Sequence, residues 1–169
     1  MSKTRHLVDP EIAPMLDMPD RVLSPETLEA IRNDPLFSGE DLPDAPFPIT
    51  SALAPVEGGP DVRLVVIDPP SEARGRGAIL HIHGGGMVVG TADNAAKTKW
   101  QLAQEHDCAI VSVEYRLAPE HPFPAPQEDC YAGLKWLADH ADELNVDPAR
   151  IVTMGESAGG GLAAEVDRR

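Results

Sequence analysis

Residues 147–164 read DPARIVTMGESAGGGLAA, and this stretch decides the fold. A short apolar run at 151–154 is followed by a glycine-bounded turn and then by residues that can begin a helix. A sharp strand-turn-helix junction of this kind exposes the central Ser157, whose hydroxyl becomes a nucleophile once a base removes its proton. The stretch therefore predicts a nucleophilic serine at a helix N-terminus. The alternative is a glycine-rich turn with a structural serine.

A second glycine run, His83-Gly84-Gly85-Gly86, follows the apolar run at 78–82. Glycines let backbone N–H groups approach a reacting carbonyl oxygen, which favours an oxyanion loop. A phosphate loop is excluded, because no Lys-Ser/Thr pair follows and the spacing is not GxGxxG. His81 and His83 form an H-x-H pair without further ligands nearby in sequence, so no metal is expected. We interpret His81 as a satisfied core histidine and His83 as a brace for the loop.

Composition excludes several classes of function. The 169 residues carry a formal net charge of -14, which argues against nucleic acid or an anionic membrane surface as a partner. No apolar run approaches the roughly 20 residues of a membrane helix, and the N-terminus lacks an apolar signal core. A cytoplasmic protein is expected. Cys108 and Cys130 are not in a CxxC pair and are expected to be reduced and buried.

The chain divides at about residue 48. Residues 1–48 are rich in Pro and Asp and predict a cap-like segment with short helices near 9–17 and 25–33. Residues 49–169 predict an α/β domain, because short apolar runs alternate with helical patterns. A hairpin is expected from 49–56 and 62–67, parallel strands from 79–82, 109–113 and 151–154, and helices from 93–106 and 127–144.

A loop rich in proline, YRLAPEHPFPA at 115–125, follows the strand at 109–113. Its alternate prolines predict an extended conformation before the next helix. Arg116 and Glu120 are expected to pair and to hold this loop.

Three ordered motifs, HGGG, YRLAPEHPFPA and DPARIVTMGESAGGGLAA, make the chain resemble the hormone-sensitive-lipase family of α/β-hydrolase esterases. The resemblance covers about 60–164, and 1–59 resemble the family's cap more loosely. It implies hydrolysis of short- to medium-chain carboxylic esters without a cofactor. It makes Ser157 the catalytic nucleophile and the amides of Gly85, Gly86 and Ala158 the oxyanion hole. It also implies that Glu156 supports the turn by hydrogen bonds.

In one respect the sequence departs from the family pattern. The triad Asp and His of the family follow the serine in chain order, whereas Arg169 comes twelve residues after Ser157. We therefore expect a truncated α/β-hydrolase fold, the N-terminal half only, with little or no activity in isolation. Its expected partners are a small ester and either a complementary C-terminal half or a second copy. The alternatives are a small-molecule-binding protein of the same fold, as in the gibberellin receptors of the family, and an inactive fragment.

Overall fold

The computed structural model describes residues 4–17, 22–34 and 42–169. Contacts divide the chain into two compact units, Met1–Ile31 and Arg32–Arg169. The boundary that the sequence predicts at 48/49 stays a prediction, and parts of the predicted cap segment lie outside the described residues.

The described part of the first unit includes two 3₁₀-helices, Arg5–Leu7 and Ala13–Asp17. A short helix was expected near 9–17, and the structure has a 3₁₀-helix over the second half of this range. Pro14 lies in this helix, where it has no N–H to donate. The helix expected near 25–33 is the short α1, Leu28–Arg32.

A sheet of five strands forms the centre of the second unit, in the order β1-β2-β4-β3-β5. The strands are β1 (Thr50–Ala54), β2 (Val62–Ile67), β3 (Arg76–Ile82), β4 (Ala109–Val113) and β5 (Val146–Gly155). The hairpin is confirmed, since β1 and β2 pair antiparallel, and β2 also pairs antiparallel with β4. The three predicted parallel strands are confirmed as neighbours, with β3 between β4 and β5.

Within the described residues, four helices flank the sheet: α2 (Ala92–Thr98), α3 (Trp100–Glu105), α4 (Ala125–Asp139) and α5 (Ala158–Val166). The single helix expected at 93–106 is interrupted at Lys99, which follows α2 and precedes α3. The helix expected at 127–144 ends at Asp139. Ala141 reaches the core from the following turn, in which Asn145 has a φ of 53°.

Alternate residues of the strands enter two apolar clusters, one on each face of the sheet. On β2, Leu64 and Val66 belong to a cluster that includes residues of α4 and α5, whereas Val65 and Ile67 belong to one that includes residues of α2 and α3. All five residues of β4 are buried, as expected for a strand covered on both faces.

The loop at 115–125 is held by different ion pairs from those that the sequence suggests. The expected pairing of Arg116 with Glu120 is wrong. Arg116 binds Asp129 of α4, which is fully buried and accepts hydrogen bonds from both the guanidinium and the backbone N–H of Arg116, at 2.8–3.1 Å. Glu120 instead binds Arg32. A buried carboxylate requires a charged partner, and Arg116 satisfies that need.

No helix within the described ranges is both long and apolar enough to cross a membrane.

Candidate active site

Both glycine motifs begin at the carboxyl ends of neighbouring parallel strands. Strands β3 and β5 are parallel, and Ile82 is the register partner of Gly155, so the two turns leave neighbouring strand ends. The backbone of Gly84 lies against the turn at Ser157, because a Cβ on Gly84 would be 2.8 Å from the carbonyl oxygen of Glu156. The glycine loop and the serine turn are therefore adjacent.

Ser157 occupies a strained turn between β5 and α5. Its φ of 53° and ψ of -117° fall outside the regions that side-chain-bearing residues ordinarily adopt. The residue is exposed, and its side chain makes no capping hydrogen bond to α5. Strain at such a position is a reason to look for function, since it persists only where the surroundings impose it. The strand-turn-helix geometry that the sequence predicts is present.

The glycine loop folds back on itself at Gly85. The φ of Gly85 is 119°, and a Cβ there would overlap the carbonyl oxygen of Val89. The carbonyl oxygen of Gly85 accepts hydrogen bonds from the N–H groups of Val88 and Val89 at 3.1 and 3.0 Å. No hydrogen bond within the described residues uses the N–H groups of Gly85 or Gly86 as donors to the backbone. Both remain able to donate to a ligand.

His83 connects the glycine loop to Tyr115 and has the supporting position that the sequence suggests. The ring is buried, and its Nδ1 donates to the carbonyl oxygen of Gly84 at 2.8 Å. It stacks on Tyr115 with ring centroids 4.2 Å apart, and the Tyr115 hydroxyl donates to the His83 carbonyl at 2.9 Å. Burial lowers the pKa of His83 to about 4, so the ring is neutral near pH 7.

His81 and Glu156 belong to a polar chain behind the serine. His81 is buried; its Nε2 lies 2.9 Å from a carboxylate oxygen of Glu156 and its Nδ1 lies 2.8 Å from the Ser112 hydroxyl. Because a carboxylate only accepts, Nε2 carries the proton and Nδ1 accepts from Ser112. The second Glu156 oxygen binds Lys99 Nζ at 2.6 Å. His81 is therefore a buried core histidine whose ring nitrogens both have hydrogen-bond partners, as the sequence predicts.

Two opposing effects set the charge of this polar chain. Burial lowers the pKa of His81, although Glu156 opposes the shift. Burial of Glu156 would raise the pKa of its carboxyl, but the hydrogen bonds from Lys99 and His81 and the positive charge of Lys99 outweigh it, and the pKa is lowered. Near neutral pH, this polar chain thus contains the carboxylate of Glu156 and the neutral imidazole of His81.

A cavity of about 320 Å³ borders the glycine loop. His83, Gly85 and Glu156 line it together with Lys99 and residues of α2. Ser157 is not among its lining residues, although it directly follows Glu156. Within the described ranges, no group of three or more potential ligand side chains could hold a metal ion.

Sequence reasoning missed two partners of this site. Lys99 looks like an ordinary polar residue in a helical pattern, and Ser112 looks like one polar residue in an apolar strand. Their roles depend on the pairing of β3 with β4 and on the position of the α2–α3 break, neither of which leaves a local signal in the sequence.

Residues 79–169 match the family model described as "alpha/beta hydrolase fold". The chain belongs to this family, and within it to the esterases and lipases related to hormone-sensitive lipase. It is 36% identical to Esterase LipI of Mycobacterium tuberculosis over 96% of this chain and 51% of that protein. It is 38% identical to hormone-sensitive lipase of Mus musculus over 72% of this chain and 16% of that protein.

The fold agrees with a solved relative. The structure of a bacterial heroin esterase superposes with a TM-score of 0.84 and 40% sequence identity, covering 97% of this chain and 53% of that one. The chain thus spans about half the length of this esterase and of Esterase LipI.

Proposed function

We propose that Ser157 is the nucleophile of a carboxylic ester hydrolase. The observation that carries the proposal is the strained, exposed turn at Ser157 directly beside the glycine loop. In this chemistry Ser157 Oγ loses its proton to a base and bonds to the ester carbonyl carbon. The alcohol then leaves with a proton, and water releases the acid from the acyl-enzyme.

The amides of Gly85, Gly86 and Ala158 form the oxyanion hole of this proposal. Ala158 is the first residue of α5, where N–H groups have no partner within the helix. The helix dipole also favours negative charge at that end. Donors that are fixed before the reaction stabilise the developing oxyanion without reorganisation, which is why they lower the barrier.

Glu156 and His83 support these groups in different ways. Glu156 directly precedes the proposed nucleophile. Its bonds to His81 and Lys99 hold the start of the serine turn in place. His83 fixes the start of the glycine loop through Gly84 and Tyr115. Neither role requires direct contact with an ester.

The substrates are short- to medium-chain carboxylic esters, and no cofactor takes part. Esterases and lipases among the relatives support the ester class. We assign no general base within residues 1–169: in the described ranges, the hydrogen bonds of His81, His83 and His140 go to other partners. In the family, the acid and the base of the triad follow the serine in chain order. The cytoplasmic location expected from the sequence stays a prediction.

The proposal is tested by covalent labelling of the natural protein that carries this sequence. An alkyl fluorophosphonate is expected to modify Ser157, identified by peptide mass spectrometry. Turnover of p-nitrophenyl esters is expected to be fastest for short and medium acyl chains. A protein that binds esters but neither takes the label nor turns them over would be a binding protein of the same fold.

We propose in addition that the outer edge of β5 pairs with another strand. Within the described residues β5 pairs only with β3, and Val152 on this strand is 56% exposed. An unpaired edge with an apolar side chain favours strand addition. The 169-residue chain is expected to elute as a dimer, or to bind a complementary C-terminal half. A monomer that unfolds cooperatively would contradict this.

A further inference from the structure

We infer that Arg32 is a positioning residue that holds the glycine loop in its working conformation; the inference rests on the function proposed above. Arg32 is far in sequence from every motif of the site. In space its guanidinium lies between the glycine loop and the proline-rich loop at 115–125 and donates hydrogen bonds to both.

The first contact fixes the back of the glycine loop. Arg32 Nε donates to the carbonyl oxygen of Val88 at 2.8 Å. Val88 also donates its own N–H to the carbonyl oxygen of Gly85 at 3.1 Å, so it is joined directly to the residue whose amide is proposed to face the oxyanion. A shift of Val88 would therefore be transmitted to Gly85 through one hydrogen bond.

The second set of contacts fixes the proline-rich loop to the same point. Arg32 binds both carboxylate oxygens of Glu120 at 2.8 Å and donates to the carbonyl oxygen of Ala118 at 2.9 Å. Ala118 in turn donates its N–H to the carbonyl oxygen of Met87 at 2.8 Å. The guanidinium and the Ala118–Met87 bond thus tie the two loops together at adjacent points of the glycine loop.

The chemistry of this contact requires arginine. One planar guanidinium donates through Nε and both terminal nitrogens to four oxygen atoms of three residues, and a lysine ammonium cannot match that geometry. The hydrogen bond to Arg32 lowers the pKa of Glu120 to about 2, so this pair stays charged throughout the neutral range. Arg32 is partly buried, with a side-chain exposure of 27%.

Loss of this contact should affect the transition state more than substrate binding. Oxyanion donors act only when they are already placed where charge develops. Misplacement of a catalytic group by about 1 Å costs roughly 100-fold in rate. For Arg32→Lys we expect kcat to fall by about 10- to 100-fold with little change in KM.

The experiment compares Arg32→Lys with the matched control Arg63→Lys in the natural protein. Arg63 also forms a bidentate ion pair, with Asp93 at 2.6 and 2.9 Å, and it lies 3.6 Å from Glu114; neither of these described partners belongs to the glycine loop. A second variant, Glu120→Gln, removes the charge of the partner and leaves the bond from Arg32 to Val88. The measurements are kcat and KM for a p-nitrophenyl ester, and amide hydrogen exchange at 84–90 relative to β3 and β5.

For Arg32→Lys, the expected results are faster amide exchange at 84–90 and a lower kcat. Arg63→Lys should show neither change, and Glu120→Gln should show smaller changes. Unchanged exchange in Arg32→Lys would overturn the inference. So would faster exchange with an unchanged kcat, because the loop would then be mobile without consequence. If the wild-type protein neither hydrolyses esters nor takes the phosphonate label, the proposed function fails, and the exchange comparison still decides whether Arg32 holds the loop.

Discussion

Replacement of Ser157 by alanine is expected to lower kcat for ester hydrolysis by about 10⁶-fold, as removal of a serine nucleophile does in a serine protease. In the proposed mechanism the hydroxyl oxygen is the one atom of Ser157 that bonds to the substrate, so its loss removes the acyl-enzyme route altogether. Backbone geometry should survive, because alanine differs from serine only in that oxygen. The measurement is turnover of a p-nitrophenyl ester by the natural protein, with thermal unfolding as a check on folding.

Ser51→Ala serves as the control for this prediction. Ser51 is an exposed serine on the edge strand β1, so the same chemical change there should leave kcat unaltered. Binding of an unreactive ester analogue should persist in Ser157→Ala, since the proposed oxyanion amides do not depend on the hydroxyl. Turnover at the wild-type rate in Ser157→Ala would remove the serine from the mechanism.

The strands and the two turns could be predicted from the sequence because their signals are local. Apolar runs such as 109–113 are short and uninterrupted, which suits a strand covered on both faces, and β4 is buried throughout. The turn at Ser157 is specified by neighbouring glycines and by the strand and helix on either side. These features need no knowledge of distant residues.

The interactions that support the site could not be predicted, because they join residues far apart in sequence. Arg116 has a nearby carboxylate at Glu120, and local reasoning pairs the two. The structure instead places Asp129 against Arg116, since the buried carboxylate of α4 has the greater need for a cation. Arg32 then becomes the partner of Glu120, and no pattern in the sequence indicates that contact.

Helix ends were predicted less well than strands for a related reason. The apolar spacing at 127–144 continues through the end of α4 because Ala141 still faces the core after the helix has stopped. Periodicity reports which residues are buried and does not distinguish a last helical turn from a compact turn that follows it. At Lys99 the break between α2 and α3 likewise leaves the apolar face intact.

Replacement of Gly159 by alanine is expected to destabilise the fold by about 3 kcal/mol, at the upper end of the costs of overpacking a core. A Cβ at Gly159 would overlap the carbonyl oxygens of Ile82 and His83, which belong to backbone and cannot rotate away. The helix α5 would have to move off the end of β3. At roughly 3 °C per kcal/mol for a domain of this size, the melting temperature should fall by about 10 °C.

Gly161 provides the matched control on the same helix. A Cβ at Gly161 would have no neighbour within 4 Å, so Gly161→Ala should be neutral or stabilising by up to about 1 kcal/mol through helix propensity. Urea unfolding of the two variants beside the wild-type natural protein measures the difference. Equal stabilities would mean that α5 does not approach β3 as closely as the structure shows. A large difference would show that the glycine next to the serine turn is required by the contact of α5 with β3, whether or not the protein hydrolyses esters.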